Sequence, residues 1–157
     1  MKVETVLRHL LDESLVTLEL EATERAAAIR ELAGLLHRAG KLVDVEEYVA
    51  AVMAREALGS TAVGLGVAIP HGKSAAVRQA AVAFGRSRTG VDFAAPDGRP
   101  VDLVFLIAAP EAAHDLHLQA LARLARRLMH DEVRAALRQA RTAGEVVRAL
   151  AGEEDAS

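Results

Sequence analysis

Hydrophobic residues along the chain follow a helical period in some segments and form strand-like runs in others. The run at residues 15–20 is rich in aliphatic and β-branched residues and predicts a strand. A helix is expected before it, because apolar residues recur with short helical spacing at Val3, Val6, Leu7, Leu10 and Leu11. The chain therefore opens, on this pattern, with a helix followed by a strand.

Two amphipathic helices are predicted next. The first is expected to begin after Thr23 as its N-cap and to end at Gly40. The second is expected to begin at Asp44, where Glu47 stands three residues on in the arrangement of a capping box, and to end near residues 58 and 59. Both carry apolar residues on one face, so both are expected to pack on a core.

Between residues 61 and 108 the helical period disappears. Short apolar runs at 67–69, 80–84 and 101–108 alternate with turns, and the run Val101–Pro110 has the continuous apolar character of a central strand covered on both faces. A leucine-rich helix over 114–130 and a last helix opened by Thr142 and Glu145 follow. These elements predict an α/β fold: a single-domain sandwich in which a mixed β-sheet of about five strands is flanked by helices on both faces.

Composition narrows the functional classes. The 157 residues are 52% hydrophobic and carry a formal net charge of -3, which disfavours a general nucleic-acid binder. There is no cysteine, so disulfides, thiolate metal sites and cysteine nucleophiles are excluded. The N-terminal residues do not read as a signal peptide, and no segment has the roughly 18 apolar residues of a membrane span. A cytoplasmic protein without direct membrane insertion is expected.

The segment VGLGVAIPHGKS at residues 63–74 places a histidine directly after an apolar run. His71 is expected where a strand ends and the chain leaves the sheet, which is where ligands bind in α/β sheets. Pro70 lacks a backbone donor, while Gly64 and Gly72 permit close approach of another backbone or a partner surface. A neutral imidazole can serve as nucleophile, general base or metal ligand, although a histidine in an ordinary strand-end turn fits the same residues.

Two further histidines lie at the start of the helix that follows the central strand. His114 and His117 are three residues apart, so they point to roughly the same side of that helix and could approach His71. Three imidazoles would suit a zinc-dependent hydrolase, with Asp115 as a weak candidate for the orienting carboxylate. Solvated residues in a first helical turn explain the same pair, and His9, His37 and His130 fit exposed helix faces.

The longer stretch EALGSTAVGLGVAIPHG at residues 56–72 resembles the active-site signature of the enzyme IIA domains of the bacterial phosphotransferase system, fructose/mannitol class (type 2), which include a nitrogen-regulatory branch. The resemblance continues through DGRPVDLVFLIAAP at 97–110, through His117, Leu118 and Leu121 at the opening of the next helix, and into the last helix. It covers essentially the whole chain, with an enzyme IIA domain expected over 1–152 and a frayed tail over 153–157.

This resemblance implies that His71 is a phosphoryl acceptor and nucleophile. It would receive the group from the phosphohistidine of HPr, or of an HPr-like carrier, and pass it to the IIB domain of a sugar permease. The assisting histidine of the family falls on His117, and Arg55 and Thr61 fall where family members have polar residues near the site. The signature residues are Glu56, Gly64, Pro70 and Gly72. No cofactor and no metal are implied.

Within the family, the residues around Lys73 and the segment at 90–98 are more similar to the fructose transport branch than to the nitrogen-regulatory branch. Fructose uptake is therefore the expected role, and a regulatory protein that binds targets according to its phosphorylation state is the alternative.

Overall fold

The ten-residue strand Val101–Pro110 lies at the centre of the sheet, as the sequence predicts. In the computed structural model, which describes residues 10–112 and 116–151 and at 116 and 117 the backbone alone, this strand has neighbours on both sides. The early apolar positions up to residue 9, His114 and the expected tail lie outside the described residues. In chain order the strands are β1 (Val16–Leu20), β2 (Ala62–Gly64), β3 (Val67–Ala68), β4 (His71–Ser74), β5 (Ala81–Val91) and β6 (Val101–Pro110).

The helices follow the predicted order, with two additions: a 3-10 turn before β1 and a separate helix after residue 130. A 3-10 turn at Glu13–Leu15 precedes β1, and the α-helices of the described residues are α1 (Arg25–Arg38), α2 (Val45–Glu56), α3 (Leu116–Leu128), α4 (Asp131–Gln139) and α5 (Ala143–Ala151). The segment predicted as one helix to residue 130 thus ends at Leu128, and α4 begins separately three residues later.

Helix capping was only partly foreseen. Asp44 caps α2 by accepting a hydrogen bond from the Glu47 N–H at 3.0 Å, and the Thr142 hydroxyl accepts from the Glu145 N–H at 3.1 Å, so both predicted N-caps are confirmed. The prediction of Thr23 for α1 is wrong, because the N-cap is Glu24, which makes no side-chain capping bond. The Thr23 carbonyl instead accepts the Asp92 N–H at 3.0 Å, so this segment is positioned by the end of β5.

The mixed sheet has the order β1-β5-β6-β3-β2, and β4 also pairs with β6. Strands β3 and β4 run parallel to β6 in one continuous register, since Val67 pairs with Leu103 and His71 with Ile107. They are one strand interrupted at residues 69 and 70, which is why the sheet has six strands where about five were predicted.

Two adjacent residues of β5 show that helices cover both faces of the sheet. A Cβ on Gly85 would lie 3.0 Å from the Leu32 side chain of α1. Arg86 points the opposite way, as neighbouring strand residues do, and its guanidinium donates to the carbonyls of Leu137 and Ala140 at 2.9 and 2.8 Å at the end of α4. Helices α1 and α4 therefore lie on opposite faces, and the predicted fold class is confirmed.

Candidate functional site

His71 is the first residue of β4 and lies half-buried beside Ile107 of the central strand. The expectation that the chain leaves the sheet at this point is wrong: β3 ends at Ala68, and after two residues the chain rejoins the same edge of β6. Pro70 lies in the interruption, and its carbonyl accepts the Ile107 N–H at 3.0 Å. The histidine is thus held at a break in a strand, with backbone pairing on both sides of it.

A hydrogen bond fixes the tautomer of His71. Its ring Nδ1 lies 3.0 Å from the Ile69 carbonyl oxygen. A carbonyl can only accept, so Nδ1 carries the proton, and in the neutral ring Nε2 then holds the lone pair. The nucleophilic nitrogen of this imidazole is therefore Nε2.

Gly72 sits where α2 presses against β4. A Cβ at this position would lie 2.8 Å from the Val52 Cγ2 atom and 3.4 Å from the Tyr48 ring. Tyr48 is fully buried, and its hydroxyl donates to the Ile107 carbonyl at 2.7 Å. Burial raises the pKa of Tyr48 well above its ordinary value, so the hydroxyl stays a neutral donor. Gly72 thus permits the close packing that sets the position of the residue before it.

Glu56 organises the segment that leads into the signature. Its carboxylate is buried, accepts from Arg25 Nη1 at 3.2 Å and from the Thr61 N–H at 3.3 Å, and also accepts the Thr61 hydroxyl proton. The Thr61 carbonyl in turn accepts the Ile69 N–H at 3.1 Å. Contacts therefore run from Arg25 through Glu56 and Thr61 to the residue whose carbonyl holds the His71 ring.

This network gives Glu56 a structural role. It also commits the hydroxyl proton of Thr61, which is 6% exposed, to an internal carboxylate. A hydroxyl with its one proton so engaged is not available as a donor to a phosphate oxygen. Thr61 therefore acts in this structure through its backbone carbonyl.

Arg55 lies in the last turn of α2, on the same helix face as Tyr48 and Val52 by its spacing of seven and three residues. Its Nη1 donates to the Gly59 carbonyl at 2.8 Å, just beyond the helix end. The helix ends at Glu56, slightly earlier than residues 58 and 59 as predicted. Arg55 is half-buried. The bond to Gly59 engages one of its five N–H donors, and no other hydrogen bond within the described residues engages the rest.

Gly64 ends β2 with a φ of +90°, a conformation that glycine adopts without strain. The next residue, Leu65, donates its N–H to the Asp97 carboxylate at 3.3 Å. Gly64 therefore serves the turn between β2 and β3, seven residues before the histidine. Its place in the signature is explained by that turn.

His117 is the second residue of α3, in the segment that follows β6 after Pro110. Its side chain, like all of His114, lies outside the description. Among the residues whose side chains are described, no group of three histidine or acidic side chains could hold a metal ion. The zinc hypothesis depends on both of those histidines and therefore stays a prediction.

Sequence reasoning missed the Ile69 carbonyl, Arg25 and Tyr48. A backbone carbonyl leaves no trace in residue type. Arg25 is 31 residues from Glu56 along the chain, and only the packing of α1 brings them together. Tyr48 is the single tyrosine of the chain and is fully buried. Its position on the predicted apolar face of α2 was the signal that could have identified it.

His71 is thus a half-buried imidazole at a break in a sheet strand, and its tautomer leaves Nε2 with a lone pair. Comparison with protein families places this chain in a class. The chain matches the family model for the phosphoenolpyruvate-dependent sugar phosphotransferase system, EIIA 2, over residues 9–152. The chain therefore belongs to the type-2 enzyme IIA family of that system, and domains of this family carry phosphoryl groups within it.

Curated relatives carry two kinds of name. The chain is 43% identical over 139 residues, 88% of its length, to the fructose-specific EIIABC component of Bacillus subtilis, of which it spans only 22%. It is 40% identical to the fructose-specific EIIA component of Haloferax volcanii, covering 87% of this chain and 89% of that protein. It is also 42% identical to a nitrogen regulatory protein of Bradyrhizobium diazoefficiens, covering 84% and 86%.

Solved structures that are similar to this chain also include both a nitrogen regulatory protein and a sugar-specific enzyme IIA. Nitrogen regulatory protein IIA-Ntr of Neisseria meningitidis has a TM-score of 0.85 and 38% identity, covering 92% of this chain and 99% of that one. Mannitol enzyme IIA of Escherichia coli, in a complex with phosphorylated enzyme IIB, has a TM-score of 0.77 and 29% identity, covering 91% and 98%. No helix in the described part of this chain is both long and apolar enough to cross a bilayer.

Proposed function

We propose that this protein is a cytoplasmic phosphohistidine carrier for sugar uptake, with fructose as the sugar. His71 accepts a phosphoryl group from phosphorylated HPr, or an HPr-like carrier, and passes it to the IIB domain of a permease. The observation that carries the proposal is the hydrogen bond from His71 Nδ1 to the Ile69 carbonyl, which leaves Nε2 as the nucleophile in a chain of the enzyme IIA family.

The first transfer forms a bond between Nε2 and phosphorus while the bond from phosphorus to the donor imidazole breaks. The ring of His71 gains positive charge as that bond forms, and the Ile69 carbonyl, which accepts the Nδ1 proton at 3.0 Å, stabilises it. No proton has to leave Nδ1. In the second transfer a nucleophile of the IIB domain forms a bond to phosphorus while the bond from phosphorus to Nε2 breaks, and the lone pair returns to Nε2.

The equatorial phosphate oxygens carry spread negative charge and need donors. Arg55 is the described candidate, because one of its donors is engaged by Gly59 and the remainder of the fork is available. We assign His117 the assisting role on family resemblance and on its place in the first turn of α3. Exchange between two phosphohistidines is nearly balanced in free energy, so tight phosphate binding would slow onward transfer. No cofactor is required.

Labelling with phosphorylated HPr tests the acceptor. We expect the wild-type protein to acquire acid-labile, base-stable phosphate, and His71→Ala to acquire none. His37→Ala, which removes an exposed histidine from α1, is the matched control and should label normally. Persistence of label in folded His71→Ala would overturn the assignment.

Nuclear magnetic resonance of the imidazole nitrogens tests the tautomer. The unphosphorylated protein should show a protonated Nδ1, and the labelled protein should carry phosphorus on Nε2. Phosphorus on Nδ1 would contradict the role given to the Ile69 carbonyl while leaving the carrier function intact.

The His117→Ala variant tests the assisting role. Transfer from phosphorylated HPr and to IIB should slow while circular dichroism shows a retained fold. Unchanged rates in both directions would remove His117 from the site.

A regulatory role is the second candidate, and the likeness to IIA-Ntr of Neisseria meningitidis favours it. In that case the phosphorylation state of His71 would control binding to other proteins. Onward transfer decides between the roles: rapid loss of label to a fructose-type IIB domain supports transport, and a stable label in its presence supports regulation.

A further inference from the structure

A solvent-open cavity of about 410 Å³ lies at the end of the sheet away from His71. It is lined by Leu65 and Gly66 of the β2–β3 turn, by residues 88–90 of β5 and by Asp102 of β6. His71 pairs with Ile107, five positions further along β6, which places the cavity roughly 16 Å away along the strand at about 3.3 Å per residue. The cavity is thus separate from the phosphoryl-transfer site.

Four arginines line this cavity and one carboxylate opposes them, although the chain as a whole has a net charge of -3. The arginines are Arg88, Arg99, Arg134 and Arg138. Positive charge is therefore concentrated at this concave surface, although the protein as a whole is acidic. This local concentration is a property of the cavity and does not follow from the overall charge.

Two of the four guanidinium groups are fixed in place. Arg138 makes a two-pronged ion pair with Asp102, at 2.7 Å from Nε and 2.9 Å from Nη2, and Nη2 also donates to the Leu65 carbonyl at 2.7 Å. The Asp102 carboxylate accordingly raises the pKa of Arg138. Arg134 is buried, donates to the Leu128 carbonyl and pairs with Asp131. These contacts hold both guanidinium groups in place and pair their charges with carboxylates.

Arg88 and Arg99 are different. Both are exposed, and neither has a side-chain hydrogen bond or ion pair within the described residues. They face the cavity from β5 and from the loop before β6, so two uncompensated positive charges converge on one space. Among the residues that the structure describes, no carboxylate pairs with either group, which leaves their donors for a ligand.

We propose that this cavity binds a phosphorylated small molecule through Arg88 and Arg99. A phosphate monoester carries a charge of about -1.5 to -2 near neutral pH and three acceptor oxygens, which matches two free guanidinium forks. The volume is in the range of small-molecule sites, about 300–1,000 Å³, and so admits the organic part of such a ligand.

Titration of the uniformly ¹⁵N-labelled protein with inorganic phosphate tests the site. At about pH 8 the phosphate is a dianion, and sodium chloride at equal ionic strength is the parallel titration. We expect saturable shifts of the amide signals of Leu65, Gly66, Thr89 and Gly90 with phosphate and no saturable shift with chloride. The unphosphorylated protein is used without any carrier, so failure here leaves the proposed carrier function untouched.

Matched variants assign the effect to the two arginines. The double variant Arg88→Gln/Arg99→Gln should weaken phosphate binding about tenfold or more, since each removes a charge-assisted contact. Arg38→Gln, which removes an exposed arginine from α1 outside the cavity, should change it less than about twofold. Equal affinity in the double variant, shifts that follow ionic strength alone, or saturable shifts centred on His71 would each overturn the proposal.

Discussion

Replacing Gly72 by alanine tests how closely α2 must approach the strand that carries His71. The new Cβ would lie 2.8 Å from Val52 Cγ2 and 3.2 Å from the Val52 backbone nitrogen. Ordinary carbon contacts are about 3.5–4.0 Å, so the carbon contact is short by at least about 0.7 Å. Val52 and Tyr48 are fully buried, and a backbone atom cannot rotate away, so the helix or the strand has to move.

Such overpacking costs about 1–3 kcal/mol. Urea unfolding followed by circular dichroism measures it, and we expect a lower midpoint with an unchanged slope. Phosphoryl acceptance by His71 should also slow, because the residue beside Gly72 is displaced with the strand. A Gly72→Ala protein as stable as the wild type would refute the packing described here.

Gly34→Ala is the matched control, because it adds the same methyl group elsewhere. A Cβ there would lie 3.5 Å from the end of the flexible Arg38 side chain, inside α1. Removing a glycine from a helix interior stabilises by about 0.5–1 kcal/mol. The two variants should therefore shift the urea midpoint in opposite directions.

A double-mutant cycle locates the clash. Val52→Ala alone should destabilise by creating a cavity, and the added methyl of Gly72→Ala should partly fill it. We expect the double variant to be more stable than the sum of the two single losses, since the residues are in contact. Simple additivity would place the cost of Gly72→Ala somewhere other than Val52.

Three further substitutions test the contacts around the site and its supporting helix. Glu56→Gln should lower the free energy of unfolding by about 1–3 kcal/mol, because it removes the charge that pairs with Arg25 and weakens a buried acceptor. Urea unfolding measures this loss, and an unchanged free energy of unfolding would rule out the structural role of the carboxylate. Asp44→Ala should cost about 1 kcal/mol by removing the N-cap of α2, seen as a lower thermal midpoint, whereas an unchanged midpoint would contradict the observed cap. Tyr48→Phe should cost about 1–2 kcal/mol by leaving the Ile107 carbonyl without its donor. Because burial raises the pKa of Tyr48, the stability linked to its proton is complete below the ordinary value of 10.0 and is lost as pH rises through the raised value. The single tyrosine makes this visible: tyrosinate absorbance should appear only with unfolding, and its appearance in the folded protein would contradict the burial.

The strands and helices with strong patterns were predictable from the sequence. Val101–Pro110 was identified as central because continuous apolar character requires cover on both faces. Asp44 was identified as a cap because its carboxylate satisfies a helix N–H locally. These features depend on residues close together in the chain.

The parts that were wrong or missed depend on distant contacts. Thr23 looks like an N-cap, but its carbonyl accepts the Asp92 N–H, and the N-cap of α1 is Glu24. The second half of β5 is polar and so did not extend the predicted run beyond residue 84, yet pairing with β6 carries the strand to Val91. The His71 tautomer could not be predicted, because a backbone carbonyl decides it.

The order of the strands in the sheet has a consequence for folding kinetics. Strands β5 and β6 are neighbours in sequence and in space, and the rings of Phe84 and Phe105 lie 4.8 Å apart across them. Strand β1 must instead find β5 across more than sixty intervening residues, as the pairing of Val16 with Phe84 shows. Closing long loops slows folding, so we expect the β5–β6 hairpin to form early and β1 to join late. In a newly synthesised chain, the edge of β5 that pairs with β1 would then stay exposed until β1 docks.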